Sequence, residues 1–301
     1  MKRKVSQIGP STLMVSLPSK WARKFGVKKG DEMDAAEDGS RIMYYADTQI
    51  SIKSKEIHIE KVSPFITRIL ASIYKNGYDE IRIKYDKKEI FDIIQRSIRD
   101  YFIDLEIMEQ TESYCLVKSI ADLSKEKFDP TLRRAFLVSL NMADSVLELL
   151  KKGETKELSS LITLEQTNNR LTSFCRKLLV TKGYKDNFKL PFIYCLVEEL
   201  EKLTDEYKYI CLHFAKYNSL SVDEKYIDLL EQTNNIFREY YKLYFDFNLK
   251  KAEELYSKVK KIIDQSFEYL EKDKKHYYFY NIISVAQKIS NLLSFLMSLE
   301  A

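Results

Sequence analysis

The stretch VSQIGPSTLMVSLPSKWARKFGVKKGD, residues 5–31, is the most informative part of this chain for its fold. It contains an apolar segment, an Ile-Gly-Pro-Ser-Thr turn, a second apolar segment, a Leu-Pro-Ser helix start and a Gly-containing exit. We predict short strands at 5–8 and 13–17, followed by a helix. Pro18 suits the first turn of this helix and Gly26 suits its exit.

Two further strands are predicted after this helix, at 32–36 and 41–45. They flank Glu37-Asp38-Gly39-Ser40, in which Asp-Gly is a strong hairpin signal. The resulting domain, residues 1–48, is too small to bury an adequate core alone. We therefore expect it to pair with a second copy.

The same region carries a local excess of positive charge. Eight basic residues precede the first acidic residue, Asp31, whereas the whole chain of 301 residues has a net charge of only +4. Such a cluster suits the phosphates of a nucleic acid. Its members are Lys2, Arg3, Lys4, Lys20, Arg23, Lys24, Lys28 and Lys29.

The order of elements in residues 5–31 resembles the AbrB/SpoVT swapped-hairpin DNA-binding family. In that family two copies interlock into one small β-barrel that presses basic residues onto duplex DNA. The resemblance implies phosphate contacts from hydroxyl and backbone groups of the 9–12 turn and of Ser19, with Lys28 and Lys29 as peripheral contacts. The residues assigned to DNA contact are Arg3, Lys4, Lys20, Arg23 and Lys24.

Residues 49–125 alternate between strand and helix periodicity, in the order β-α-β-α-β-β. This order fits a small α/β linker domain. Asn76-Gly77 is interpreted as a helix exit rather than a phosphate loop, so we expect no nucleotide site here. The predicted strands are 57–62, 81–85, 105–108 and 114–117, and the predicted helices are 65–74 and 88–102.

Residues 126–301 are predicted to be all-helical. Asp129-Pro130 and Ser221–Glu224 have the patterns of helix starts. The hexapeptide LEQTNN occurs at both 164–169 and 230–235, and we interpret this as coincidence. The predicted helices lie near 130–152, 155–182, 188–217, 222–246, 249–271 and 276–300.

Apolar residues with 3-4 spacing along the third of these helices, from Ile193 to Phe214, recur 86 residues later, from Phe279 to Leu296. This spacing places each set along one seam of its helix. The recurrence predicts two three-helix repeats, about 129–217 and 221–300.

Leu200-Glu201-Lys202-Leu203-Thr204-Asp205 resembles the metal-binding helix of the PhoU family, phosphate-uptake regulators built from two three-helix repeats. In that family each repeat contributes a Glu-x-x-x-Asp pair to a divalent or ferric metal cluster. Here Glu201 and Asp205 form one pair, whereas the second repeat has the neutral Gln287 and Asn291. The resemblance implies at most weak metal binding, confined to Glu201 and Asp205. Spacing alone equally suits a solvated acidic face.

Composition narrows the class of protein. A hydrophobic content of 45% excludes disorder, and 31% charged residues without a long uncharged apolar run predict no membrane insertion. We identify no signal peptide and no nucleophile–base arrangement, so an enzyme is not expected. Four cysteines without CxxC spacing predict buried reduced thiols in a cytoplasmic protein. They are Cys115, Cys175, Cys195 and Cys211.

The expected fold class is therefore multidomain α+β, with a swapped-hairpin barrel, an α/β linker domain and a PhoU-like six-helix bundle. This fusion resembles archaeal phosphate-uptake regulators. The first functional hypothesis is a transcriptional regulator of phosphate uptake that binds double-stranded DNA as a homodimer or higher oligomer. The second is a PhoU-like accessory protein that docks on a phosphate-transporter ATPase or a sensor kinase. The third is an antitoxin-like module.

Overall fold

A computed structural model describes residues 2–46, 53–120, 123–216, 222–272 and 278–301. The chain is a mixed α+β protein with two compact units, Met1–Lys53 and Ser54–Ala301. The second unit contains the predicted linker domain from Ser54 onward together with the whole of the predicted helical domain. They share one continuous hydrophobic core.

The described residues of the first unit form two two-stranded antiparallel hairpins and one short helix, the elements predicted for this region. The first hairpin turns at Gly9, the helix exits through Gly26, and the second hairpin turns at Gly39, all three with positive φ. Pro18 immediately precedes the helix instead of lying in its first turn. The elements are β1 (Val5–Ile8), β2 (Thr12–Val15), α1 (Ser19–Lys24), β3 (Met33–Asp38) and β4 (Arg41–Ala46).

The second unit begins with a four-stranded sheet and two helices in the predicted β-α-β-α-β-β order. The strand order is β5-β6-β8-β7, with β5 and β6 parallel and the other pairs antiparallel. The bounds are β5 (Ser54–Ile59), α2 (Phe65–Lys75), β6 (Glu80–Tyr85), α3 (Lys88–Tyr101), β7 (Leu105–Gln110) and β8 (Tyr114–Ser119).

Six α-helices follow within the described part of residues 123–301, as predicted. Short 3-10 helices cover Lys125–Lys127 and Thr155–Leu161, and the second of them replaces the start of the predicted 155–182 helix. The helices are α4 (Phe128–Lys152), α5 (Ile162–Lys182), α6 (Leu190–Lys216), α7 (Glu224–Phe245), α8 (Leu249–Lys272) and α9 (Phe279–Glu300).

Both predicted helix starts need correction. Asp129 is not an N-cap, because the preceding 3-10 turn runs directly into α4 and leaves Asp129 in the first turn. At α7 the cap is Asp223, whose carboxylate accepts a hydrogen bond of 2.8 Å from the Lys225 N–H. Ser221 lies outside the described residues.

The α/β segment packs tightly on the helical segment. Asn76-Gly77 forms the predicted helix exit, with Gly77 at φ 70°. A Cβ at Gly77 would clash with the Thr181 side chain on α5. Glycine is therefore required here both by the backbone conformation and by the close approach of α5.

The two apolar seams are buried, as predicted, and α6 and α9 pack along each other. Among the described residues, α9 is the one helix that is long and apolar enough to cross a membrane by length and composition alone, although Lys288 interrupts its apolar run. More than half of the apolar stretch of α9 is buried inside the protein. The arrangement of the helices as two repeats stays a prediction.

The two copies of the hexapeptide LEQTNN make equivalent contacts in the structure. Asn168 and Asn234, the fifth residue of each copy, are both buried. The amide nitrogen of Asn168 donates to the Ala135 carbonyl at 3.1 Å, and that of Asn234 donates to the Ala143 carbonyl at 2.7 Å. The two copies therefore attach α5 and α7 to the backbone of α4 through the same kind of contact.

Three of the four cysteines are buried, as predicted, but Cys195 is exposed. On α6, Cys195 lies beside the buried seam residues Ile193 and Leu196 and faces outward. All four thiols are free.

Candidate nucleic-acid interface

The β1–β2 hairpin exposes apolar side chains on both faces. Every residue of both strands is exposed. Val5 and Leu13 retain 60% and 70% of their accessible surface, and Ile8 and Met14 are exposed on the opposite face. Because an isolated two-stranded ribbon is only marginally stable in water, these faces require cover from a further surface.

Helix α1 is equally open. It contains no buried residue, and its first turn is closed by a 2.9 Å hydrogen bond from the Ala22 N–H to the Pro18 carbonyl. The rings of Trp21 and Phe25 lie 5.2 Å apart, and Lys24 Nζ lies 5.3 Å from the centre of the Phe25 ring. A six-residue helix has little intrinsic stability, so these local contacts hold it only in part.

The five residues assigned to DNA contact lie on two neighbouring parts of the chain. Arg3 and Lys4 lie immediately before β1, and Lys20, Arg23 and Lys24 lie on α1; all five are exposed. In the part of the chain that the structure describes, none of them has a carboxylate partner. Their charge is therefore available to an external anion.

The two basic residues at the end of α1 also suit the helix itself. Arg23 and Lys24 occupy its last turn, where a positive charge compensates the helix dipole. Beyond the exit, Lys28 and Lys29 are exposed, but the Lys28 N–H donates to the Asp31 carboxylate at 2.7 Å. The peripheral role of these two lysines in DNA contact stays a prediction.

The 9–12 turn is held from within the hairpin. The side-chain nitrogen of Gln7 donates to the Pro10 carbonyl at 3.1 Å. Ser11 and Thr12 are exposed at the tip. The hydroxyl and backbone groups of this turn are therefore placed at the surface, as phosphate contact requires.

The predicted metal ligands lie far along the chain, on α6, and both are engaged with cations. Glu201 accepts a 2.6 Å hydrogen bond from the Thr172 hydroxyl and pairs with Arg176. Asp205 pairs with Lys208, whose Nζ also lies 2.7 Å from a Glu165 carboxylate oxygen.

These carboxylates do not fit a free cation site. Among the described residues, no group of three or more His, Cys, Asp or Glu side chains is arranged to hold a metal ion. Nor is this a solvated acidic face, because the Glu201 side chain is only 23% exposed. The neutral Asn291 donates to the Glu199 carboxylate at 2.7 Å and so belongs to the packing between α6 and α9.

The sequence reasoning missed two charged residues on α5. Arg176 and Lys177 are buried, with side chains 1% and 0% exposed. Arg176 bridges Glu198 and Glu201 on α6, and Lys177 reaches the α/β segment. One pattern in the sequence could have indicated that Arg176 is buried. Asn168, Thr172 and Arg176 follow one another at i, i+4 spacing and so share one face of α5, and all three are buried.

Comparison with known proteins bears on the N-terminal unit alone. Residues 7–44 match the family model described as antidote-toxin recognition MazE, bacterial antitoxin. The match supports an N-terminal domain of the swapped-hairpin DNA-binding type. Searches found no matching curated protein and no matching solved structure.

Proposed function

We propose that this chain is a transcriptional regulator that binds double-stranded DNA as a homodimer through its N-terminal unit. The observation that carries the proposal is the exposed basic cluster, in which the five assigned residues lack carboxylate partners among the described residues. The cluster overlaps a region with a MazE-like sequence, residues 7–44. Exposed Lys and Arg side chains without internal partners suit the phosphates of duplex DNA.

The exposed apolar faces of β1 and β2 support the dimer. A second copy of the same hairpin offers the same apolar surface in return, as a twofold interface requires. Pairing would also bring a second basic cluster onto the DNA. Doubling the number of phosphate contacts raises affinity and its dependence on salt.

A mobility-shift experiment tests the DNA-binding proposal. We expect the full chain to shift a mixed-sequence DNA duplex, and Arg23→Glu/Lys24→Glu to abolish the shift without changing helical content. Lys260→Glu/Lys261→Glu is a matched control, since it reverses two adjacent exposed charges on α8. The assignment would be overturned if the Arg23→Glu/Lys24→Glu variant still bound DNA, or if the control variant lost DNA binding to the same extent.

The second candidate is an antitoxin-like module that binds a toxin protein. The specific observation in its favour is the description of the matching family, which names antidote-toxin recognition. A toxin gene beside the gene for this chain, and neutralisation of that toxin by the purified chain, would favour this candidate. The two functions are compatible if the toxin contacts a surface other than the basic cluster.

The link to phosphate uptake is a narrower proposal. It is supported only by the resemblance of residues 200–205 to the PhoU family, as is the alternative of docking on a transporter ATPase or sensor kinase. Transcript levels of phosphate-transporter genes, measured with and without the gene for this chain, test it directly. Unchanged transcripts under phosphate limitation would leave DNA binding standing and remove the phosphate link.

A further inference from the structure

A polar cleft of about 760 Å³ lies within the second unit, between the α2–α3 pair and the α5–α6 pair. The α2–α3 wall is joined by a 2.7 Å hydrogen bond between the hydroxyls of Thr67 and Ser97. A cleft of this volume lies within the range that proteins use for small organic ligands. It is larger than a single inorganic anion requires.

The α2–α3 wall presents three cations to this cleft. Arg68 and Lys75 lie on α2, seven residues apart and so on one helix face, and Arg96 lies on α3. Throughout the ranges that the structure describes, no carboxylate lies within ion-pair distance of any of the three. Burial and the nearby Arg176 lower the pKa of Lys75, so the charged form of this lysine is less favourable here than in water.

The acidic residues of the cleft are already engaged. Glu201 pairs with Arg176, and Glu165 and Asp205 share Lys208. Asp100 pairs with its neighbour Arg99 at 2.7 Å. The lining contains five basic and four acidic residues, a net charge of +1, and its cations without a carboxylate partner among the described residues lie on the α2–α3 wall.

The opposite wall offers groups that suit an uncharged, hydroxyl-bearing part of a ligand. Asn169 and Ser173 on α5 line it, and the buried side-chain oxygen of Asn169 has no hydrogen-bond partner among the residues that the structure describes. Tyr209 on α6 adds apolar surface to this wall, and Ile93 on α3 faces the cleft from the other side. The cleft thus combines a cationic end with a polar and apolar remainder.

We propose that this cleft is a binding site for a small organic phosphate. Its phosphoryl group would be held by Arg68, Lys75 and Arg96, and its hydroxyl-bearing part would face Asn169 and Ser173. Two guanidinium forks and an ammonium group match a dianionic phosphoryl group, which has three terminal oxygens, better than a single carboxylate. The site belongs to the second unit and does not depend on DNA binding by the first.

Calorimetric titration of the full chain with ribose 5-phosphate and with AMP tests the proposal. We expect at least one of them to bind, ribose and adenosine not to bind, and inorganic phosphate and citrate to bind more weakly. Arg68→Gln/Arg96→Gln should weaken binding roughly 100-fold, because each charge-assisted contact contributes substantially. Both arginines are exposed, so the variant should fold.

The matched control is Arg134→Gln/Lys250→Gln, which removes two exposed charges outside the cleft and should bind like the wild type. Equal weakening in this control would show non-specific attraction and overturn the proposal. So would the failure of both phosphate esters to bind, or tighter binding of citrate or inorganic phosphate than of either ester. Because binding is measured without DNA, these outcomes are independent of the mobility-shift result.

Discussion

Lys177 Nζ lies 2.6 Å from an Asp104 carboxylate oxygen, and both side chains are completely buried. The pair joins α5 to the turn that precedes β7, and so joins the helical segment to the α/β segment. Asp104 also accepts hydrogen bonds from the hydroxyls of Tyr74, at 2.5 Å, and Ser119, at 2.6 Å. Each buried charge is thus both paired and hydrogen-bonded, which is the condition under which burial is tolerated.

Removing one member of this pair should destabilise the second unit strongly. Lys177→Met leaves the Asp104 carboxylate buried and uncompensated, which costs roughly 3–5 kcal/mol of unfolding free energy. The double variant Lys177→Met/Asp104→Leu should be more stable than Lys177→Met, because no buried charge remains. Urea unfolding followed by circular dichroism measures the free energy of unfolding of these two variants and of the single variant Asp104→Leu. Simple additivity of the two single losses would contradict the coupling.

Lys75 gives a prediction about pH. Burial, and then the charge of Arg176, lower its pKa from 10.5, while Glu201 raises it less. The folded protein therefore binds fewer protons at Lys75 than the unfolded chain. Stability should rise with pH between the folded-state pKa and 10.5. In phosphate-free buffer, Lys75→Gln should be more stable than the wild type near neutral pH, and the difference should close on approach to 10.5. Parallel stability curves would contradict this assignment.

Thiol reactivity should separate Cys195 from the other cysteines. Burial raises the pKa of Cys115 and Cys211 to about 12 and also raises that of Cys175. Their reactive thiolate forms are therefore scarce at neutral pH, and the sulfurs are inaccessible. A colorimetric thiol reagent should modify one thiol per native chain and four in denaturant. Cys195→Ser should remove the native reaction. Rapid modification of that variant would show that a buried site opens.

The sequence predicts those features of the fold that are determined by residues close together in the chain. The turn at Gly9, the Asp38-Gly39 hairpin and the exit at Asn76-Gly77 are local, and the structure contains each of them. The seam on α6 is periodic, so its burial also follows from spacing alone. The outward position of Cys195 could have been predicted from the same seam.

The contacts that join the elements were not predictable in this way. The sequence around Lys177 does not distinguish it from a surface lysine, because its partner Asp104 lies 73 residues away in the chain. The two LEQTNN copies are 66 residues apart, out of register with the 86-residue recurrence of the apolar seams, so the sequence alone provides no reason to relate them. Both asparagines donate to backbone carbonyls of the same helix, α4, and this relationship is visible only once the helices are packed. The engaged state of Glu201 likewise depends on Arg176, on another helix.

DNA binding should depend steeply on salt. If a dimer neutralises about six phosphates, its affinity should fall roughly a thousandfold between 50 and 200 mM salt. Fluorescence anisotropy with a labelled duplex measures this slope. A nearly flat response with retained affinity would show that the basic cluster does not contact phosphates.

The last prediction concerns the apolar faces of the β1–β2 hairpin. If a second copy covers them, Leu13→Glu/Val15→Glu should dissociate the dimer, because both side chains lie on one face of the ribbon and are exposed in the single chain. Burying each side chain contributes roughly 1.5–3 kcal/mol, and a symmetric dimer contains each twice. The dissociation constant should therefore rise by at least about four orders of magnitude. Helical content should not change, since the substitutions lie outside the helices.

Sedimentation of the full chain measures this change. The matched control, Leu137→Glu/Tyr256→Glu, places two charges at exposed apolar residues on α4 and α8 and should remain dimeric. Loss of DNA binding together with loss of the dimer would link the two properties, because two basic clusters on one duplex bind with a far higher effective concentration than one. A wild-type chain that sediments as a monomer at micromolar concentration would remove the paired-hairpin interpretation. The exposed apolar faces of β1 and β2 would then need cover from a surface other than a second copy of the hairpin.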